Sequence, residues 1–233
     1  MAAIVIELPP ISVILPAYNE EVFIGTTVTS ILESGFPCEV IVVDDGSTDR
    51  TLRILEGFGG QIRVICHPVN RGKGAAMASG VRAATGDIVI FCDAHLLGLK
   101  QYHLLCLVLP LIQGPARAVL GVSTSEAGIF PQVLMPVLTG QRAYFRCDLE
   151  PLLDEMERLG YGVETFLWNR FPREQTVVVA LPGLVHLLKP RISSPPVAAK
   201  GYWRESVEIL RTLVYLGGVS PDPFIRWKRL RSL

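Results

Sequence analysis

The sequence has no excess charge of either sign: 22 Lys and Arg residues balance 22 Asp and Glu residues. Without a net field there is no global attraction to nucleic acid or an acidic polymer, and no nucleic-acid partner is expected. CxxC pairs are missing among the five cysteines. Cys66, Cys92 and Cys106 sit among apolar letters and read as buried free thiols in a reducing compartment. No uninterrupted apolar run reaches the roughly 18 residues that a spanning helix needs. Residues 1–10 carry no basic stretch ahead of their apolar letters, so no signal peptide is expected. The expected location is cytoplasmic, with peripheral contact at the inner face of the membrane as an option. Two phosphate-binding fingerprints are also absent. The first strand does not lead into GxGxxG, which argues against an NAD-dependent dehydrogenase, and no GxxxxGK[ST] loop occurs.

What is present is an ordered alternation. Apolar runs at 11–15, 40–43, 62–66 and 87–91 read as strands buried on both faces, the first stopped by Pro16. Between them, helical spacing appears from Val22 to Leu32, over 51–58 and over 75–84. Strand and helix in alternation predict an α/β fold: a mainly parallel, mixed, Rossmann-like sheet flanked by helices, with every strand end on one edge. The second half is less regular. A helix broken near Pro110 is expected over 96–112, a strand over 118–122, loop or short helix over 126–136, an amphipathic helix over 148–159 and a strand over 176–181. Residues 1–200 form the expected single domain. The Pro/Ser segment 191–197 separates it from a C-terminal helix over 202–216 and a basic tail, residues 201–233 as a unit. That unit is expected to pack on the domain, on a dimer partner or on an anionic membrane.

The polar strand ends carry the chemistry. In Phe91-Cys92-Asp93-Ala94-His95, extended backbone would put Asp93 and His95 on one side, two metal-ligating groups at the carboxyl end of a strand. A solvated Asp and a surface His would give the same letters. Pro16-Ala17-Tyr18-Asn19-Glu20-Glu21 and Val43-Asp44-Asp45-Gly46-Ser47-Thr48-Asp49 bring a ring, an amide and carboxylates to one mouth, where a base could be packed and hydrogen-bonded. Helix capping accounts for Asn19 and Asp49, but not for adjacent Asp44 and Asp45 after an apolar run. Asn70-Arg71-Gly72-Lys73-Gly74 opens a helix N-terminus with two cations, as an anion site does and as an ordinary solvated turn also does.

Taken together and in order, these four motifs resemble family 2 glycosyltransferases of the GT-A fold. The match is specific over residues 11–95 and looser through Leu138-Thr139-Gly140-Gln141-Arg142-Ala143 and Gly160-Tyr161-Gly162-Val163-Glu164. The resemblance implies a UDP- or GDP-sugar donor. It implies that Pro16, Ala17, Tyr18, Glu20 and Asp45 hold the base and ribose. Asn19, Asp44, Arg71, Lys73, Asp93, Ala94, Gln141 and Arg142 complete the expected donor site. A divalent metal would hold the diphosphate at the Asp-x-Asp motif, with Arg71, Lys73 or Arg142 adding positive charge nearby. Here His95 stands in place of the second Asp. Asp-Ala-His looks like the metal motif of the polypeptide N-acetylgalactosaminyltransferases, retaining enzymes that use Mn²⁺ and a later His. Val185-His186-Leu187-Leu188-Lys189 resembles the His-x-x-Lys region of some bacterial family 2 enzymes. The expected ligands are therefore Asp93, His95 and His186, a set that suits Mn²⁺ better than Mg²⁺.

An inverting transfer, the favoured course, needs a carboxylate base, and Glu164 is the candidate, acting with Asp93. A retaining N-acetylgalactosaminyl-type transferase would not need that base. A non-catalytic nucleotide-sugar module and a sugar-phosphate nucleotidyltransferase are the further alternatives, although residues 15–21 lack the Gly-rich loop of the latter. The acceptor is open, and membrane contact by the C-terminal helix would favour a lipid-linked one.

Overall fold

The computed structural model describes residues 7–123, 137 and 139–186. The expectations for 126–136, 191–197 and the 201–233 unit lie outside the described residues. Among the described residues no helix is long and apolar enough to cross a membrane.

Seven strands form one mixed sheet, and the first half follows the predicted alternation. Strand β1 (Ile11–Ala17) leads to α1 (Ile24–Glu33), β2 (Glu39–Asp44) to α2 (Thr51–Glu56), β3 (Arg63–Cys66) to α3 (Lys73–Ala83), and then comes β4 (Ile88–Phe91). β1 lies parallel between β2 and β4, and β3 runs parallel outside β2. Val13, Ile14, Leu15, Ile41, Val42 and Val43 are wholly buried. Two covered faces explain why these strands read as continuous apolar runs, each such side chain contributing about 1.5–3 kcal/mol of burial. The small-residue helix α3 rests on the sheet through Ala76, Met77 and Val81, packed with Ile14, Ile41 and Val43.

Several elements differ from expectation. β1 continues through Pro16, because the β4 ladder ends at Ile14 and the missing N–H leaves no rung open on that side. The segment expected as a helix from residue 96 begins instead with β5 (Leu96–Leu97), and α4 (Gln101–Gln113) starts only after Gly98 turns the chain at φ 74°. Pro110 lies inside α4 without ending it. After β6 (Ala118–Ser123), an unforeseen strand β7 (Arg142–Phe145) inserts antiparallel between β4 and β6. The expected helix over 148–159 is split by Pro151 into α5 (Arg146–Leu149), a 3₁₀ turn, and α6 (Leu153–Met156). The helix α7 (Val163–Arg170) follows, then β8 (Thr176–Leu181), parallel to β6, and β9 (Val185–His186), which pairs with β5. The sheet order is β3-β2-β1-β4-β7-β6-β8. Because β3 is its outer strand, Cys66 is exposed rather than buried; Cys92 is buried and Cys106 half-buried, all as free thiols.

Candidate active site

Parallel strands β1, β2 and β4 all deliver their carboxyl ends to one edge, and the loops there interlock. Asn19, the one non-glycine residue at positive φ (55°) among the described residues, donates its N–H to Ser47 Oγ at 3.0 Å and accepts from Thr48 N–H at 2.8 Å. Glu20 N–H donates to Thr51 Oγ1 at 2.8 Å, and Arg50 N–H donates to Glu21 Oε2 at 3.0 Å. Asn19 therefore latches the first loop to the second. Tyr18 and Pro16 stand half-buried beside that latch.

The paired aspartates divide their work. Asp45 accepts Arg71 N–H at 2.9 Å, Gly72 N–H at 2.8 Å and a 2.6 Å contact from His67 Nδ1, so its carboxylate anchors the next loop. Asp44 is as deeply buried, yet its Oδ1 has no hydrogen-bond partner among the described residues. A buried carboxylate oxygen in that condition is costly unless a donor arrives.

The loop that Asp45 anchors presents Lys73 at the start of α3. Gly72 takes φ 95°, a left-handed conformation that a side chain would strain. Lys73 Nζ donates to Asp93 Oδ1 at 2.8 Å and to Glu164 Oε1 at 2.6 Å, although these residues stand far apart in sequence. Burial works against the Lys73 charge, but the two carboxylates outweigh it and hold its pKa above that of an ordinary lysine. Gln141 Nε2 donates to Asp93 Oδ2 at 2.9 Å, and its own Oε1 accepts from Thr139 Oγ1 at 3.0 Å. Gly140 makes that approach possible: a Cβ there would lie 2.1 Å from Asp93 Oδ2. The result is a buried cluster of one ammonium, one amide and two carboxylates, contributed by α3, the 139–141 turn, α7 and the chain just beyond β4.

Strand alternation does not place Asp93 and His95, because β4 ends at Phe91 and the chain bends before β5. Asp93 turns to Lys73 and Gln141, while His95 Nδ1 lies 3.3 Å from Glu20 Oε1. Ala94 is buried and its carbonyl accepts the Thr27 hydroxyl at 2.9 Å. The backbone of His186 pairs opposite Leu96, next in sequence to His95. Among the described residues no group of three or more His, Cys, Asp or Glu is gathered for a metal. A carboxylate and an imidazole, as on Asp93 and His95, are donor types that a transition ion takes, but here the two side chains turn to different partners.

Two expected cations are placed differently. Arg142 is wholly buried on β7, where its guanidinium donates to the carbonyls of Val137, of Thr139 at 2.6 Å and of Glu164 at 2.9 Å. It supports the backbone behind Glu164 and is turned away from the mouth. Arg71 is half-exposed and reaches toward Glu157 at 3.7 Å. Glu164 is buried against Lys73 rather than lying on the surface. Sequence reasoning passed over His67, which directly follows a strand on the same edge as Asp44, and that position was its available signal; Gly140 was noted in the 138–143 motif without a role of its own.

Known proteins agree with this architecture. The family described as glycosyl transferase family 2 matches residues 12–131. Glucosyl-3-phosphoglycerate synthase of Mycobacterium tuberculosis is 34% identical over 190 residues, 66% of this chain and 58% of that protein. This chain thus spans a little under three fifths of that relative's length. A crystal structure of that synthase with Mn²⁺, UDP-glucose and phosphoglyceric acid superposes with a TM-score of 0.70 at 27% identity, covering 91% of this chain and 81% of that one. Another, with Mg²⁺ and UDP, gives 0.70 at 28% identity over 91% and 81% of the two chains. An undecaprenyl-phosphate 4-deoxy-4-formamido-L-arabinose transferase of Pectobacterium carotovorum is 37% identical over 98 residues, 39% of this chain and 30% of that protein. With the matched model covering half of its residues and the strand-end loops in the same order, the chain belongs to glycosyl transferase family 2.

Proposed function

We propose that the chain moves a hexosyl group from a UDP-sugar, with Mn²⁺ bound, to the hydroxyl of a small phosphorylated hydroxy acid of the phosphoglycerate type. The observation that carries this reading is the buried Lys73–Asp93–Glu164 cluster beside the interlocked strand-end loops. Carboxylates in such a cluster accept sugar hydroxyls, and the ammonium holds them in place at the sugar end of the site. On the nucleotide side, Tyr18 packs on the base with Pro16, Ala17 and Glu20. Asp44, rather than Asp45, receives the imide N–H of uracil, because Asp45 is already saturated by loop donors. The synthase complexed with UDP-glucose and phosphoglyceric acid supports UDP over GDP and favours a small acceptor over a lipid-linked one.

Asp93, His95 and His186 would hold the metal, in the manner of the Asp-Ala-His motif of the N-acetylgalactosaminyltransferases. Bound there, Mn²⁺ would supply Lewis-acid neutralisation of the leaving UDP. Lys73 pairs with Asp93 and Glu164, and Gln141 orients Asp93. Glu164 is less suited to the role of base than its sequence position suggested. Its carboxylate already accepts the Lys73 ammonium at 2.6 Å, so that oxygen is engaged rather than directed at an acceptor hydroxyl. That contact favours a retaining course, in which no such base is required, over the inverting one.

A C-terminal helix over 202–216 that touches a second copy or the membrane, in a cytoplasmic protein, is proposed on its sequence pattern; liposome flotation of the full chain tests it. The donor assignment is tested by thermal denaturation with UDP, UDP-glucose, GDP and GDP-sugars, each with and without Mn²⁺. Mass action predicts stabilisation by the uridine ligands, enlarged by Mn²⁺. If uridine ligands bind but no transfer follows, the chain is a binding module, and if none binds the reading fails.

A further inference from the structure

Beneath the donor site runs a second, largely buried set of contacts that the transfer chemistry does not use directly. His67, the first residue after β3, is buried with both ring nitrogens engaged. Its Nδ1 lies 2.6 Å from Asp45 Oδ1 and its Nε2 lies 2.9 Å from Ser79 Oγ, on the sheet-facing helix α3. A carboxylate only accepts, so Nδ1 carries the proton toward Asp45, and in the neutral ring Nε2 accepts from the serine hydroxyl. Asp45 in turn receives Arg71 N–H and Gly72 N–H, one on each oxygen. The next residue is Lys73, whose ammonium meets Asp93 and Glu164. Apart from the peptide bond between Gly72 and Lys73, the links from Ser79 to Glu164 are hydrogen bonds of 2.6–2.9 Å.

Serine, histidine and aspartate in line resemble a nucleophilic triad, but the order of packing argues otherwise. Asp45 is the member facing the loop, its oxygens are occupied by backbone donors, and Ser79 sits on α3 behind the histidine. Nothing in that line has an oxygen presented to a substrate. What the line can do is fix a rotamer. Asp45 must point both oxygens at consecutive N–H groups, and the imidazole is the side-chain partner holding it there. The loop needs such a hold because Gly72 adopts φ 95°, a conformation that free glycine leaves readily.

We infer that His67 is a positioning residue for sugar transfer: braced by Ser79, it locks Asp45 so that the 70–74 loop delivers Lys73 to Asp93 and Glu164. The inference rests on the donor-site reading above for its kinetic consequence, but not for its structural one. Loss of the imidazole should loosen the sugar end of the site and spare the nucleotide end, which is latched separately through Asn19 and Ser47.

The two amide isosteres divide the ring's functions. In His67→Asn the amide nitrogen takes the place of Nδ1 and keeps the Asp45 contact; in His67→Gln it takes the place of Nε2 and keeps only the Ser79 contact. His67→Leu removes both. The test measures amide hydrogen exchange at Arg71 and Gly72 by NMR in the full chain without added Mn²⁺, and UDP affinity, UDP-glucose affinity and kcat in the full chain with Mn²⁺. In His67→Leu and His67→Gln, exchange at both amides should quicken about 10- to 100-fold and kcat should fall by a similar factor, with UDP affinity held within about three-fold. His67→Asn should recover most of both, and Ser79→Ala should show a smaller change in the same direction. A structural role alone would lower Tm in all variants without separating Asn from Gln. Unchanged exchange at Arg71 and Gly72 in both His67→Leu and His67→Gln overturns the inference, as does His67→Asn behaving like His67→Leu. Should His67→Leu fail to fold, the Asn and Gln pair decides alone. Should the wild-type chain bind no UDP-glucose, the functional reading falls while the exchange data still judge the positioning role.

Discussion

At the N-terminal edge of the sheet, Glu39 receives the Ser12 hydroxyl, the hydroxyl and N–H of Thr85 at 2.8 and 2.6 Å, and Gly86 N–H at 3.3 Å. At the opposite edge, Asp93 and Glu164 share the ammonium of Lys73. One oxygen of the first carboxylate, Oε1, takes all four neutral donors, and it ties β1, β2 and the approach to β4 together. The other two are held by a long side chain that can move. A carboxylate oxygen crowded by neutral donors has no room for a ligand, whereas carboxylates sharing a long-chain cation can exchange that partner for a sugar hydroxyl or a metal. Glu39 is half-buried while Asp93 and Glu164 are buried, so it is the kind of partner rather than exposure that separates a fold contact from a site.

Breaking the C-terminal cluster should have the largest effect. Asp93→Ala removes the carboxylate common to the sugar and metal readings, and kcat is expected to fall by about 10³-fold in a steady-state assay. Lys73→Met leaves two buried carboxylates without their cation, and urea denaturation should register a loss of roughly 3–5 kcal/mol. Glu164→Gln keeps the shape and gives up the charge. For a retaining enzyme the expected loss is about 10- to 100-fold in kcat, with product of unchanged anomeric form; a loss that an added small carboxylate base restores would reinstate the inverting course.

The N-terminal edge should respond to acid and not to substrate. Burial tends to raise the Glu39 pKa, but hydrogen bonds from Ser12, Thr85 and Gly86 outweigh it and hold the carboxyl below its ordinary value. Its contribution is therefore present at neutral pH and lost as pH falls through that lowered pKa. Glu39→Gln should lower Tm by roughly 2–4 °C at pH 7, a difference that vanishes in acid, with kcat unchanged. The smallest effect is expected at the loop latch: Asn19→Ala should weaken UDP about two- to five-fold in calorimetry, and Asn19→Gly less, since glycine accepts the φ of 55° without strain.

The parallel half of the fold was legible because each strand and helix there obeys its own local pattern. β7 was not, since a four-residue strand containing the buried Arg142 shows no period and owes its place to β4 and β6 on either side. The 148–159 segment kept its amphipathic face yet lost its continuity to Pro151. The site was legible as a set of letters rather than as a set of contacts. Lys73, Asp93, Gln141 and Glu164 were all named from the sequence, but their meeting depends on topology. Arg142 and Asp45 carried the expected charges and are spent on backbone partners, which only the packing reveals.

The central claim is metal-dependent transfer from a UDP-sugar at the Lys73–Asp93–Glu164 cluster. Its most direct test is NMR of the full chain with UDP-[1-¹³C]glucose, 3-phosphoglycerate and Mn²⁺. The account predicts release of UDP and a new anomeric ¹³C signal of the same configuration as the donor, lost with EDTA and in Asp93→Ala. An unchanged UDP-glucose spectrum under every metal, with no binding of the donor, would contradict it.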